Sequence, residues 1–230
     1  MLARTRDPNP APTLPPMPPM TLMRKRSLSD PVEKDSIVDQ VLPNGERWVY
    51  EINQSGKRLM RREFPNGEMW LYMGDPGRER LAEKKGFKDG REQVYSGEQG
   101  RERLTRIKVS DKESWYFGGE PGNEYYSLKV FKDGENYEEW HYQGERGYEH
   151  LTQKVVQKDR KYEVFYYAGE QGNERLTKKL TADNFVEYYE GEQGTERMVR
   201  RKKFMGTEVE HYEGARGQER LVGLVPNGRP

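Results

Sequence analysis

A pair of glycines three residues apart returns seven times along this chain, and it leaves little room for any architecture but a tandem array. The first glycines are Gly74, Gly97, Gly119, Gly144, Gly169, Gly191 and Gly214, and the second are Gly77, Gly100, Gly122, Gly147, Gly172, Gly194 and Gly217. Successive first glycines lie 23, 22, 25, 25, 22 and 23 residues apart. An aromatic residue stands two places before each first glycine, and a glutamate stands two places after each second one: Glu79, Glu102, Glu124, Glu149, Glu174, Glu196 and Glu219. A degenerate eighth copy begins at Tyr50, where Ile52 and Ser55 take the glycine places while Arg58 and Leu59 keep theirs. Self-similarity at such a period means one supersecondary unit per repeat, with each unit burying its apolar side against its neighbours.

A second turn signal falls between the glycine knots: Asn44-Gly45, Asn66-Gly67, Asp89-Gly90, Asp133-Gly134 and Asn227-Gly228, with Asp111-Lys112, Asp159-Arg160, Asp183-Asn184 and Met205-Gly206 in the same phase. Asn-Gly and Asp-Gly predict type I′ hairpin turns, whose two central residues both need positive φ. The arms between turns, such as Arg197 to Phe204 and Glu208 to Tyr212, are rich in β-branched and aromatic residues and too short for helices of ordinary length. Each unit is therefore a hairpin. The predicted fold is all-β, an elongated, single-layer antiparallel meander of about 17 strands, roughly 80 Å long at ~4.8 Å per strand.

Residues two apart in a strand share a face. The anchor aromatics Tyr50, Tyr72, Tyr95, Phe117, Tyr142, Tyr167, Tyr189 and Tyr212 then form one column, and Trp48, Trp70, Trp115, Trp140 and Phe165 stand two residues before five of them. Across the knot, Leu81, Leu104, Tyr126, Leu151, Leu176, Met198 and Leu221 are placed to pair with the anchors. Lys and Arg on outgoing arms face Glu on returning arms, as in Arg200 to Lys203 against Glu208 and Glu210, which predicts cross-strand ion pairs. The repeated knot glutamate is expected to accept hydrogen bonds from amides of its own glycine loop.

Apolar residues are 32% of the chain, against ~45–50% in ordinary globular domains, so a thick two-layer core is not expected. Forty Lys and Arg against 39 Asp and Glu leave a net charge of +1, without the basic excess of a nucleic-acid binder. There is no cysteine, no apolar run long enough to span a membrane, and only three scattered histidines, His141, His150 and His211. No cofactor or metal is implied, and a soluble, cytoplasmic protein in a reducing compartment is expected.

Residues 1–36 hold eight of the 14 prolines and none of the 24 glycines, a composition expected to leave a disordered tail ahead of an array spanning residues 37–230. Pro8, Pro10, Pro12, Pro15, Pro16, Pro18 and Pro19 favour polyproline II and would break the amphipathic helix of a transit peptide. Further on, Arg26-Ser27-Leu28-Ser29-Asp30-Pro31 resembles a 14-3-3 ligand, with Ser29 as the phosphorylated residue and Arg26 and Pro31 completing the motif.

The units Tyr72-Met73-Gly74, Tyr95-Ser96-Gly97, Tyr142-Gln143-Gly144, Tyr167-Ala168-Gly169, Tyr189-Glu190-Gly191 and Tyr212-Glu213-Gly214 resemble MORN repeats. The resemblance runs from Tyr50 to the end of the chain, and it implies a long single-layer sheet used for scaffolding, membrane-adjacent assembly or protein docking. No nucleophile, base and orienting group stand together, and the glycine knot lacks the lysine and helix of a phosphate loop, so a non-enzymatic scaffold is expected. Its partner surface is the aromatic face at Trp48, Trp70, Trp115, Trp140 and Phe165, because Gln93, Glu187 and Glu210 show that a unit needs no ring there to form. The alternative is that the spaced rings stack on a glycan or a single nucleic-acid strand, the nucleic acid being disfavoured by the balanced charge, and self-association through this face or the C-terminal edge is a further expectation.

Overall fold

A computed structural model describes residues 36–226, which form seventeen β-strands and no helix. The first eight are β1 (Ser36–Val41), β2 (Arg47–Asn53), β3 (Gly56–Glu63), β4 (Met69–Met73), β5 (Arg80–Lys85), β6 (Glu92–Ser96), β7 (Arg103–Lys108) and β8 (Glu113–Gly118). The remainder are β9 (Tyr125–Asp133), β10 (Asn136–Gln143), β11 (His150–Lys158), β12 (Lys161–Ala168), β13 (Arg175–Leu180), β14 (Phe185–Glu190), β15 (Arg197–Lys203), β16 (Glu208–Glu213) and β17 (Arg220–Pro226). Every strand pairs antiparallel with its neighbours in chain order, giving one open meander. The proline-rich tail, Arg26, Ser29 and Pro31, and the Asn227-Gly228 turn lie outside the described residues.

The layer is as thin as the composition demands. Among the described apolar residues only Val49, Ala82, Ile107 and Val186 are buried, and no large side chain is fully enclosed. Stability must come from backbone ladders and from half-buried side chains lying across neighbouring strands.

Beside each knot the ladder carries a bulge that the sequence reading did not contain. Tyr167 pairs with Leu176 but Tyr166 pairs with Lys178, which leaves Thr177 without a partner across the ladder. The same shift recurs at eight places, from Tyr50 opposite Leu59 to Tyr212 opposite Leu221. The bulge residue is often hydroxylated, and Thr105, Ser127, Thr152 and Thr177 each donate to a carbonyl across the ladder at 3.1–3.2 Å. An extra residue on one strand accentuates local twist and reverses side-chain parity beyond it.

The turns correct the expectation of a uniform type I′ geometry. At Asn44-Gly45 the Gly45 amide donates to Leu42 O at 2.9 Å and only Gly45 has positive φ, 82°. That is a type I turn closed by a glycine bulge, the usual three-residue hairpin loop, and Asn66-Gly67 and Asp89-Gly90 follow it. Among the described residues both turn residues are left-handed only at Asp159-Arg160, with φ of 50° and 64°. In Lys203 to Gly206 the left-handed residue is Met205, φ 66° and 90% exposed, not the glycine. A β-carbon there costs ~1–2 kcal/mol, partly offset by the entropy a glycine would lose. Met205→Gly is therefore expected to stabilise the C-terminal units by about 0.5–1 kcal/mol, seen as a higher denaturation midpoint.

Candidate docking site on the tryptophan face

Register places the sequence-predicted aromatic residues in one row across the sheet. Reading through directly paired residues, the row runs Trp48, Arg62, Trp70, Lys84, Gln93, Ile107, Trp115. It continues through Lys129, Trp140, Lys154, Phe165, Lys179, Glu187, Arg201 and Glu210. All five predicted residues share this face, but rings and cations alternate along it. The Arg62 guanidinium lies 4.8 Å from the Trp48 ring centre and 5.3 Å from that of Trp70, and Lys84 Nζ lies 4.1 Å from Trp70. Lys129 stands between Trp115 and Trp140 at 5.9 and 5.3 Å, with Lys154 4.9 Å from Trp140 and Lys179 4.9 Å from Phe165. Such contacts contribute ~0.5–2 kcal/mol each as desolvation grows. Burial against these rings pulls the Lys84 ammonium below its ordinary pKa.

Where the ring is missing, an acceptor takes its place. The hydroxyls of Tyr95, Tyr189 and Tyr212 donate to Gln93, Glu187 and Glu210 at 2.7–2.8 Å. Units dispense with the tryptophan because its position can instead tie down the anchor tyrosine. Of the predicted ion pairs at the C-terminal end, Arg201 to Glu210 forms at 2.6 Å, while Arg200 lies over Tyr188 on the opposite face. That face carries rings too, with Tyr116, Tyr166 and Tyr188 paired to Arg106, Lys178 and Arg200, so aromatic residues are not confined to one side.

The knots lock units together rather than only closing themselves. Glu174 Oε2 accepts from its own Gly172 amide at 2.9 Å, as expected, but its Oε1 accepts from the Leu151 amide of the preceding unit at 3.3 Å. The inter-unit bond recurs from Glu79 to Leu59 through Glu219 to Met198. It arises because an outgoing strand outruns its hairpin ladder. Between β5 and β6 pairing ends at Glu83, leaving the Leu81 amide to the carboxylate of Glu102. Arg58, Arg103, Arg175 and Arg197 return the bond, each donating to the first glycine carbonyl of the next knot at 3.3–3.4 Å. Burial pushes the Glu196 carboxyl up, and the amides of Leu176 and Gly194 outweigh it, so its pKa falls below the ordinary value.

In a tandem array, what recurs is structural, and what departs from the pattern is free to serve function. Several departures fall on β7 to β11. Tyr125-Tyr126 replaces the Arg-Leu pair, Phe117 replaces the anchor tyrosine, Ile107 replaces a cation beside Trp115, and His150 replaces an arginine. Tyr125 lies against Gly118, where a β-carbon would come within 2.9 Å of its ring. Tyr126 meets Phe117 at 4.9 Å and Trp115 edge-on at 5.6 Å between ring centres. The result is a groove of about 340 Å³ lined by Trp115, Tyr126, Lys129, Tyr142, Glu149 and Gln171. Tyr126 and Glu149 separate it from a second hollow floored by Leu104 and Phe117. Tyr126 is 38% exposed and Tyr148, on the adjoining knot, 74%. Lys129 and then the Trp115 indole hold the Glu113 carboxyl below its ordinary pKa, fixing both side chains at the rim.

No family model and no curated protein matches the chain. Among the described residues no group of three or more His, Asp and Glu is placed to hold a metal ion, and no helix is long and apolar enough to cross a membrane.

Proposed function

We propose that this chain is a non-enzymatic scaffold that docks a protein partner on its tryptophan face, centred on the groove at Trp115, Tyr126 and Tyr142. The observation that carries this reading is that three of the positions breaking the repeat, Phe117, Tyr125 and Tyr126, are aromatic, and that Tyr126 lines the groove in contact with Phe117 and Trp115. Trp, Tyr and Arg dominate protein-interface hot spots, and Trp115, Tyr126 and Arg146 line the groove and the hollow beside it. The reading agrees with the resemblance to MORN repeats, which rests on residues and spacing. The predicted surface contracts accordingly. Trp48, Trp70, Trp140 and Phe165 have cations against their rings, which leaves less open ring for the stacking that a glycan or a nucleic-acid base requires.

Tyr126→Leu tests the proposal, because leucine is the residue that most other units carry and the hairpin accommodates it. Affinity capture from an extract is expected to lose its retained proteins by about tenfold in this variant, while Tyr188→Leu on the opposite face retains them. Equal capture by all three chains would overturn the reading, and preferential retention on an oligosaccharide array would replace the protein partner with a glycan.

A further inference from the structure

The groove is open, aromatic and flanked by carboxylates, and the chain itself contains a segment with the complementary chemistry. We propose that residues 8–19 of the tail dock as polyproline II in the groove at Trp115, Tyr126 and Tyr142, so that the chain covers its own docking surface. This rests on the tryptophan face being a docking surface and names its resident occupant.

Extended proline-rich segments dock in aromatic-lined grooves because their backbone is already ordered and proline rings pack between aromatic side chains. The tail contains Pro12-Thr13-Leu14-Pro15, Pro15-Pro16-Met17-Pro18 and Pro16-Met17-Pro18-Pro19, three overlapping instances of prolines three residues apart. That spacing brings the two prolines of each instance onto one edge of the helix.

Trp115 and Tyr142 lie on β8 and β10, two strands apart, or ~9.6 Å at ~4.8 Å per strand. One turn of polyproline II rises ~9.3 Å. A proline helix crossing the strands therefore presents one proline edge per two strands, in step with Trp115 and Trp140, which share a row on β8 and β10; Tyr142 stands two residues beyond Trp140 and is met by a helix that crosses obliquely. Elsewhere along the row a lysine or arginine already stands beside the ring. At the groove, Ile107 takes one of those places, and the single shared lysine, Lys129, is held 2.8 Å from Glu113.

Reach and charge agree with this placement. The described sheet begins at Ser36 in β1, seven strand spacings or ~34 Å from β8. In polyproline II the 17 residues from Pro19 to Ser36 would reach ~53 Å, more than the distance required. Around the proline run, residues 1–26 carry Arg4, Arg6, Arg24, Lys25 and Arg26 against Asp7 alone. The three knots around the groove carry Glu120, Glu124, Glu145, Glu149, Glu170 and Glu174 against Arg146 and Arg175, and at two of them Tyr125 and His150 take the place of the arginine found in other units. The tail is basic where the groove rim is acidic.

The chain has no cysteine, so Met17→Cys in the 230-residue chain accepts a single benzophenone photo-cross-linker. Irradiation at low concentration, followed by peptide mapping, is expected to give intramolecular products on β8 to β10. Those products should fall by about tenfold in Tyr126→Leu and in a chain with Pro15, Pro16, Pro18 and Pro19 all changed to Ser. Circular dichroism of each variant confirms that the sheet persists. Products confined to β1 to β3, or unchanged by Tyr126→Leu, overturn the inference. Products that join two molecules overturn it as well, since they make the occupant the tail of a second copy. Loss of captured partners in Tyr126→Leu without any tail cross-link to the groove leaves the scaffold standing and removes only its occupant; loss of neither removes both.

Discussion

Raising the pH beyond ~10, the ordinary tyrosine pKa, is expected to unfold the array, because the anchor column is made of tyrosines held protonated by the fold. Burial is the main cause at Tyr50, Tyr72, Tyr95, Tyr142, Tyr167, Tyr189 and Tyr212, all of which are pushed up. Carboxylates add to it: Glu79 faces Tyr50, Glu196 faces Tyr167, and Glu187 and Glu210 accept from Tyr189 and Tyr212. Between the unfolded and folded pKa values the native chain holds more protons than the unfolded one, so stability falls as pH rises. The stabilisation is complete below ~10 and is lost as pH climbs through the raised folded values. Lys84, whose pKa is lowered by burial, works in the opposite direction but is a single group. Tyrosinate absorbance and far-ultraviolet circular dichroism should therefore change together in one steep transition above the ordinary tyrosine value. Gradual tyrosinate formation with the strands intact would mean that the column is solvated and contributes little.

The strand count, the meander order and the pairing of anchor aromatics with Leu81, Leu104, Tyr126, Leu151, Leu176, Met198 and Leu221 were all legible in the sequence, because glycine spacing and period-two alternation determine them directly. The contents of the faces were less so. Counting in twos from Leu176 puts Lys178 on the tryptophan face. The bulge at Thr177 sends it instead to the opposite face, 4.2 Å from the Tyr166 ring centre, and brings Lys179 over Phe165. A bulge adds a residue without altering the repeat length, so its trace in the sequence is slight: a small or hydroxylated residue after the residue that pairs with the anchor, as in Thr105, Ser127, Thr152 and Thr177. The knot glutamates were legible as amide acceptors, but their reach into the preceding unit depends on where each hairpin ladder ends, which spacing does not reveal. The groove had a signal that could have been found: Tyr125 and Tyr126 break the Arg-Leu pair. Recognising its meaning required knowing that Phe117 and Trp115 meet Tyr126 across the ladder.

The two glycines of a knot look equivalent in sequence, yet alanine is expected to separate them widely. At Gly144 φ is 121°, and a β-carbon would come 2.5 Å from the carbonyl oxygen of Tyr148, a backbone atom with no rotamer to yield. Gly147 has φ 85° and open space around its missing β-carbon. Gly147→Ala then meets only the left-handed penalty of ~1–2 kcal/mol. Gly144→Ala adds a backbone collision in a region closed to alanine, for a loss of roughly 3–5 kcal/mol. The knot it deforms also carries Glu149, whose oxygens accept from the Tyr126 and Gly147 amides and so tie β9 to the next unit. Because each strand touches only its neighbours in chain order, the damage should be local: two shorter arrays on either side of a weakened joint at β10 and β11. Hydrogen exchange is expected to show accelerated amides in β8 to β11 of Gly144→Ala and near-native protection in β13 to β17, with equilibrium unfolding split into two phases. If both alanine variants lost the same stability, or if protection fell evenly along the sheet, the knots would be spacers rather than the joints on which the array depends.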